Sequence, residues 1–160
     1  MIIRPATATD AAAMTSLLNE IIRVGGTTAH DTPFTEAEVY HHYIQGPDAI
    51  CCHLAEVDGA VLGFQALGLY PVLPEGWLDI GTFVTAAARG TGAGAALFAA
   101  TKAVALERGC RVINATIRAD NLLGLGFYTR LGFVDYALDP DFALKSGEKV
   151  GRVSKRYDLV

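Results

Sequence analysis

The chain has 160 residues and a formal net charge of −4, with 51% hydrophobic and 19% charged residues. Its length predicts a single domain, residues 1–160, and its apolar content predicts a packed core rather than disorder. The acidic balance argues against a nucleic-acid-binding surface. No apolar stretch reaches the roughly 20 residues that span a bilayer, so a membrane is not an expected partner either.

Hydrophobic periodicity and turn residues predict alternating strands and helices. Thr35 and Glu38 have the spacing of a capping box, and Asp58-Gly59 is a strong hairpin turn. In chain order we predict a strand at 2–4, a helix from Asp10 that ends at Gly25-Gly26, and a helix from Thr35 to about Ile44. Strands at 50–57, 61–69 and 76–84 follow, then a helix at 95–108, a strand at 111–117, a helix at 121–131, and strands at 133–138 and 153–159. This order predicts an α/β fold, with a mixed sheet and helices on its faces.

The turn between the strand at 76–84 and the next helix is rich in glycine. Gly90, Gly92 and Gly94 allow a ligand to approach the backbone closely and direct successive N–H groups into one concavity. The helix adds its unpaired first-turn N–H groups and the positive end of its dipole. Residues 89–94, the glycine turn below, therefore predict a phosphate site, although a tight structural connection would need the same glycines.

Neighbouring residues exclude two common nucleotide-binding motifs. A P-loop would end in Gly-Lys-Ser/Thr, whereas Gly94 is followed by Ala95 and Ala96. A dinucleotide-binding fingerprint needs an acidic residue about 20 residues later, where residues 112–114 are Val-Ile-Asn. What remains is a diphosphate bound by main-chain amides, without a metal or a lysine.

The pattern Arg89-x-x-Gly92-x-Gly94 after a strand resembles the acyl-CoA pyrophosphate motif of the GNAT acetyltransferase superfamily. About 30 residues later that superfamily has an Asn and a Tyr on a short helix, followed by Gly-Phe. This chain has, in the same order, Asn121, Tyr128, Gly132 and Phe133. The resemblance implies a GNAT-like fold with a mixed, mostly antiparallel central sheet, acetyl-CoA as co-substrate, and a homodimer.

Three further segments resemble one branch of the superfamily, the phosphinothricin acetyltransferases, which N-acetylate small amino-acid-like amines. They are residues 3–6, Asn19-Glu20 and Thr27-Thr28. The implied reaction is direct acetyl transfer to the primary amine of a small molecule. Two alternatives stay open: acetylation of a protein or peptide N-terminus, and a non-catalytic acyl-CoA-binding sensor.

The resemblance also implies which residues contact the co-substrate. The diphosphate is expected at Arg89, Gly90, Thr91, Gly92, Ala93, Gly94 and Ala95. The strand through Phe83 and Val84 is expected to contain a bulge and to separate from the strand at 111–117, so that pantetheine pairs with the main chain of Phe83 and Val84. The Val84 amide is the candidate to polarise the thioester carbonyl. Asn121 is expected to contact pantetheine, to cap its helix, or both.

Candidate acid and base follow from the same comparison. Tyr128 is the candidate acid for the departing thiolate, because a phenol with a pKa of about 10 is protonated at neutral pH; simple packing is the alternative. Asp79 occupies the place where the branch has a Glu that draws a proton through water. Side chains alternate between the two faces of a strand, which puts Asp79 on the same face as Phe83. The alternative is that Asp79 is only a solvated carboxylate on the strand. Glu20 is a second candidate base beside the substrate loop.

We expect the acceptor pocket between the connection at 25–34 and the loop at 70–77. The candidate substrate-binding residues are Glu20, Phe34, Tyr70 and Trp77. The branch often has a basic residue in the second loop, whereas residues 69–77 contain no Arg or Lys. Arg152 could enter the pocket instead.

The compartment is indicated by cysteine content and by the first residues. Cys51, Cys52 and Cys110 have no metal-ligand spacing and cannot all pair, which favours free thiols in a reducing environment. Residues 1–5 show no secretory signal. No metal is expected at the four scattered histidines. We therefore expect a cytoplasmic protein.

Overall fold

The computed structural model describes all residues from 1 to 160 and contains one seven-stranded sheet. Its elements are β1 (Ile2–Pro5), α1 (Ala11–Val24), α2 (Glu36–Val39), β2 (Ala49–Val57), β3 (Ala60–Gly68), β4 (Trp77–Val84), α3 (Ala93–Glu107), β5 (Val112–Arg118), α4 (Leu122–Leu131), β6 (Val134–Asp139) and β7 (Arg152–Asp158). The strand order is β1-β2-β3-β4-β5-β7-β6, and only β4 and β5 are parallel. The predicted mixed, mostly antiparallel sheet with flanking helices is confirmed.

Two helices differ from the prediction in ways that matter for the site. α3 begins at Ala93 rather than Ala95, because Gly92 is its N-cap with φ at +85° and turns the chain directly into the helix. The capping box of Thr35 and Glu38 forms, but the α-helix that it begins changes after Val39 into a π-helix, Tyr40–Ile44. A π-helical turn of this kind is often found next to functional sites.

The parallel strands β4 and β5 separate after three residue pairs. They pair from Trp77–Val112 to Asp79–Asn114, and beyond that point β4 stays with β3 while β5 stays with β7. The predicted separation is therefore confirmed. The predicted bulge is wrong, because β3 and β4 keep one uninterrupted register from Asp79 to Val84. β4 keeps its hydrogen bonds to β3, and β5 keeps its hydrogen bonds to β7, so the two strands can separate without a bulge.

Hydrophobic clusters fill both faces of the sheet. The cluster beneath α3 and α4 includes Leu78 and Ile80 of β4, whereas the cluster beneath α1 and α2 receives Phe83. Alternate side chains of β4 therefore point to opposite layers. None of the helices combines the length and apolar composition needed to cross a membrane.

Candidate active site

The gap between β4 and β5 opens into a cavity of about 1090 Å³. Its walls come from the glycine turn, from the separated parts of both strands, from α4, and from the loop that joins α1 to α2. The cavity thus joins the predicted phosphate site to the predicted acceptor side.

The glycine turn presents free backbone donors to one end of this cavity. Gly90 and Gly92 have φ values of +77° and +85°. The N–H groups of Gly90, Gly92, Gly94 and Ala95 have no hydrogen-bond partner within the chain. A Cβ at Gly90 or Gly92 would meet nothing within 4 Å, so the space above the turn is open. This arrangement is an anion-binding site made of main-chain amides.

Gly94 has an additional role that its sequence position did not indicate. Its φ is not in the left-handed region, but a Cβ there would overlap the ring of Phe127. Glycine at this position therefore allows the first turn of α3 to pack against α4, while its N–H is free because it belongs to that first turn.

One edge of β4 is unpaired along the cavity. The N–H of Thr85 donates to the carbonyl of Leu62 at 2.8 Å. Because hydrogen-bonded and non-hydrogen-bonded pairs alternate along antiparallel strands, this bond determines which residues of β4 are hydrogen-bonded to β3. The backbone groups of Phe83 are thereby directed to β3, and those of Thr82 and Val84 point into the gap. Of the two residues predicted to pair with pantetheine, the structure leaves the main chain of Val84 available, with Thr82 in place of Phe83.

Asp79 lies at the point where β4 and β5 part, and it lines the cavity. Its Oδ1 accepts a hydrogen bond from Nδ2 of Asn114 at 2.7 Å, and the amide oxygen of Asn114 accepts one from the hydroxyl of Tyr136. Burial raises the pKa of Asp79 to about 6, against the opposing effect of the Asn114 hydrogen bond. A carboxylate with this pKa is suited to accept a proton at neutral pH.

Tyr128 lies on the other face of β4, in the layer of α3 and α4. Its ring packs edge-on against Phe127 and Phe133, and its hydroxyl lies 2.8 Å from the hydroxyl of Thr82. Burial raises the pKa of Tyr128, while the hydrogen bond with Thr82 opposes that rise. The phenol therefore stays protonated at neutral pH while lining the cavity.

Asn121 and Arg118 hold the α1–α2 loop against the cavity. The Asn121 side chain accepts from the N–H of Gly124 at 2.9 Å, which caps α4 as predicted, and donates to the carbonyl of Thr27. Arg118 donates to the carbonyl of Thr28 and forms an ion pair with Asp120. The loop that walls the acceptor side is thus attached to the end of β5 and the start of α4.

The acceptor end of the cavity is lined by imidazole and phenol rings. His30, His42, Tyr43 and Tyr70 all line it. Burial lowers the pKa of His30 and raises that of Tyr43, so both side chains are neutral at physiological pH. Arg152 also lines the cavity; its guanidinium stacks on Phe142 at 4.6 Å and lies 3.5 Å from Asp139.

Three of the four predicted substrate-binding residues lie outside this cavity. Glu20 is exposed and pairs with Arg23 on the surface of α1. Phe34 lines a separate, smaller cavity. Trp77 contacts Tyr136 and Arg156, because it precedes Asp79 in the part of β4 that is still paired with β5. Only Tyr70 is placed in the large cavity.

Sequence reasoning missed Gln65, Thr82 and Asn114. Gln65 and Asn114 are almost fully buried, and each is a polar residue with an apolar residue on either side of it in its strand. A buried polar side chain is costly unless it is hydrogen-bonded, so this pattern is a signal that the sequence does contain.

Comparison with known proteins agrees with this geometry. The family model described as the acetyltransferase (GNAT) family matches residues 14–133. A search of curated protein sequences finds no match.

Solved structures share the fold over nearly the whole chain. A ribosomal-protein-alanine N-acetyltransferase from Brucella melitensis has a TM-score of 0.86 at 21% identity, covering 99% of this chain and 100% of that chain. A GCN5-related N-acetyltransferase from Kribbella flavida has a TM-score of 0.82 at 26% identity, covering 99% and 97%. A phosphinothricin acetyltransferase from Sinorhizobium meliloti, in complex with acetyl-CoA, has a TM-score of 0.83 at 22% identity, covering 99% and 88%. The chain belongs to the GNAT acetyltransferase family.

Proposed function

We propose that the chain transfers an acetyl group from acetyl-CoA directly to the primary amine of a small molecule. One observation supports this above all: a single cavity contains the free amides of the glycine turn, a carboxylate at Asp79 and a protonated phenol at Tyr128. We further propose that residues 1–160 act as one domain, as a homodimer in the cytoplasm.

The residues along the cavity fit acetyl-CoA. The free amides of the glycine turn suit its diphosphate, and two basic residues, Arg89 and Arg130, line the same cavity. The unpaired main chain of Thr82 and Val84 suits the amides of a pantetheine arm, which would add to the edge of β4 as an extended strand does.

Each step of the transfer has a candidate residue in this chain. Acetyl-CoA, when bound, supplies an acetyl thioester whose sulfur leaves as a thiolate. The Val84 N–H is placed to donate to an oxygen that gains negative charge, in the manner of an oxyanion hole. Asp79 accepts the proton of the incoming ammonium through water, and Tyr128 donates its proton to the departing sulfur. No cysteine lines the cavity, which favours direct transfer.

A small acceptor is favoured by the walls of the acceptor end. His30, Tyr43 and Tyr70 line it, and the loop above it is attached through Arg118 and Asn121. Arg152, which lies 3.5 Å from Asp139, is the candidate for the cation that the loop at 69–77 lacks, and it favours an amine that also bears a carboxylate.

The test is acetyl-CoA turnover with a panel of amines, and turnover is measured by the release of free thiol. The panel pairs amino acids with the matching carboxamides and decarboxylated amines, and it includes a peptide with an N-terminal alanine. We expect turnover with small amines and a preference for those with a carboxylate. Calorimetry with acetyl-CoA is run alongside.

The alternatives give different outcomes in the same experiment. Turnover of the peptide alone would replace the small-molecule assignment with N-terminal acetylation. Tight binding of acetyl-CoA without turnover of any amine would favour a sensor. No heat of binding from properly folded protein would overturn the assignment of the glycine turn.

A further inference from the structure

A buried chain of hydrogen bonds runs from β3 through β4 to Tyr128. Nε2 of Gln65 lies 2.9 Å from Oγ1 of Thr82, and that oxygen lies 2.8 Å from the hydroxyl of Tyr128. Gln65 is fully buried, while Thr82 and Tyr128 line the cavity. The chain therefore connects the interior of the sheet to the candidate acid.

The chemistry of the groups sets the direction of the first bond in this chain. An amide N–H can only donate, so the Thr82 oxygen is the acceptor of the bond from Gln65. The Thr82 hydroxyl keeps one proton of its own, and we infer that it donates this proton to the oxygen of Tyr128, because the two oxygens lie 2.8 Å apart. With the bond in this direction, the phenol proton of Tyr128 is free to point into the cavity.

The cost of burying Gln65 makes a purely structural role a poor explanation. Its neighbours in β3 on the same face of the sheet are apolar, and its amide oxygen has no hydrogen-bond partner. An unpaired buried carbonyl destabilises a fold, and an aliphatic side chain would avoid that cost. The single bond that Gln65 makes is the one to Thr82.

We propose that Thr82, oriented by Gln65, is a positioning residue that turns the proton of Tyr128 towards the cavity and stabilises the phenolate left when that proton is transferred. The inference rests on the proposed function. In the reaction concerned, the lone pair of the amine nitrogen forms the new bond to the thioester carbon, and the carbon–sulfur electron pair goes to sulfur. Sulfur takes the proton of Tyr128, and the phenolate keeps the oxygen–hydrogen electron pair. The acylated nitrogen gives its surplus proton to water. Tyr128 regains a proton from water when the products leave.

The electrostatics agree with this role. Burial raises the pKa of Tyr128 and the Thr82 hydrogen bond lowers it. Burial thus keeps the proton on Tyr128 in the resting protein, and Thr82 makes that proton easier to transfer.

The first test measures the contact in the free protein. Tyr128 is replaced by 3-chlorotyrosine, whose phenol is more acidic and whose ionisation is followed by absorbance. We expect Thr82→Val to raise the pKa at position 128 by about one unit, a tenfold change in the ionisation constant, and Thr82→Ser to restore it. Thr101→Val is the matched control, because it removes a fully buried hydroxyl that has no partner.

The second test measures the consequence for turnover in the natural sequence. We expect Thr82→Val to lower kcat about tenfold with little change in the KM for acetyl-CoA, Gln65→Leu to lower it less, and Thr82→Ser to recover it. Tyr128→Phe removes the candidate acid itself, and we expect it to lower kcat by about 10²-fold, more than any of these variants. In the chlorotyrosine proteins, the basic limb of the pH profile of kcat is expected to move with the pKa that absorbance reports for position 128.

The outcomes separate this inference from the proposed function. An unchanged or lowered pKa in Thr82→Val overturns the inference, as does a raised pKa with kcat unaltered. Raised pKa, reduced kcat and recovery by serine together support it. Absence of turnover in the unaltered protein would overturn the proposed function, while the titration still reports whether Thr82 donates to position 128.

Discussion

The carboxylate of Asp79 accepts a 2.7 Å hydrogen bond from Asn114 across the last residue pair that joins β4 to β5. Asn114 is in turn hydrogen-bonded by the hydroxyl of Tyr136. The candidate base is therefore held at the vertex of the gap, while Tyr128 approaches the same gap from the opposite layer. Acid and base reach one cavity without being on the same face of the sheet.

Asp79→Asn is expected to remove the acidic limb of the rate profile. With the pKa of Asp79 at about 6, kcat/KM of the unaltered protein should rise with pH through about 6, because only the ionised carboxylate accepts a proton. The variant should be slower by about 10²-fold or more at pH 8. Initial rates across the pH range test this, and an unchanged acidic limb would exclude Asp79 as the base.

Asn114→Leu is expected to move that limb to higher pH rather than remove it. The hydrogen bond from Asn114 lowers the pKa of Asp79, so its loss leaves burial unopposed and raises the pKa further. Tyr136→Phe is the milder companion, because it removes only the donor that orients Asn114. A limb that stays in place in Asn114→Leu would show that Asn114 does not act on Asp79.

Asp79→Asn is also expected to stabilise the fold at alkaline pH. The pKa of Asp79 is about 6 in the folded state and 3.8 as its ordinary value, so the folded state holds an extra proton between these values. The free energy of unfolding of the unaltered protein therefore falls as pH rises through that window. At pH 8 the variant should be more stable by up to about 3 kcal/mol.

Denaturant unfolding at several pH values measures this difference. The gain should shrink as the pH falls below 6 and should disappear below 3.8, where the carboxyl is neutral in both states. A variant that is less stable than the unaltered protein at pH 8 would contradict the raised pKa.

Gly92→Val is expected to weaken the binding of coenzyme A by at least about tenfold, since its side chain would enter the open space above the free amides. Gly109→Val is the matched control. Gly109 follows the other end of α3, has a φ of +72°, and also has nothing within 4 Å of its Cβ position. Both variants should lose about 1–2 kcal/mol of stability from backbone strain.

Calorimetry and thermal unfolding of the two glycine variants separate binding from strain. Only Gly92→Val should lose affinity for coenzyme A. Equal losses of affinity in both variants would mean that the glycine turn matters through stability and not through contact with the ligand.

Gly94→Ala is expected to destabilise the fold by about 1–3 kcal/mol, because its methyl group would overlap the ring of Phe127. Phe127→Leu removes the ring atoms concerned, so Gly94→Ala should cost less in that background. A double-mutant cycle by denaturant unfolding measures the coupling. Strictly additive effects would show that α3 and α4 do not meet at this pair.

Several parts of the site were predictable because they depend on local pattern. The φ values of Gly90 and Gly92, the capping of α4 by Asn121, and the order of strands and helices all follow from residues within a few positions of each other. The same short range explains the alternation that separates Asp79 from Thr82 on β4. For these features the sequence was sufficient.

The contacts that tune the acid and the base were decided only by the tertiary structure. Asn114 and Asp79 are 35 residues apart, and Thr82 and Tyr128 are 46 apart, so each pair depends on where the sheet places β5 and α4. The same holds for Trp77, which the still-paired part of β4 keeps out of the cavity. Local periodicity determines which way a side chain points, but strand pairing determines what it meets, because only pairing brings distant segments to hydrogen-bonding distance.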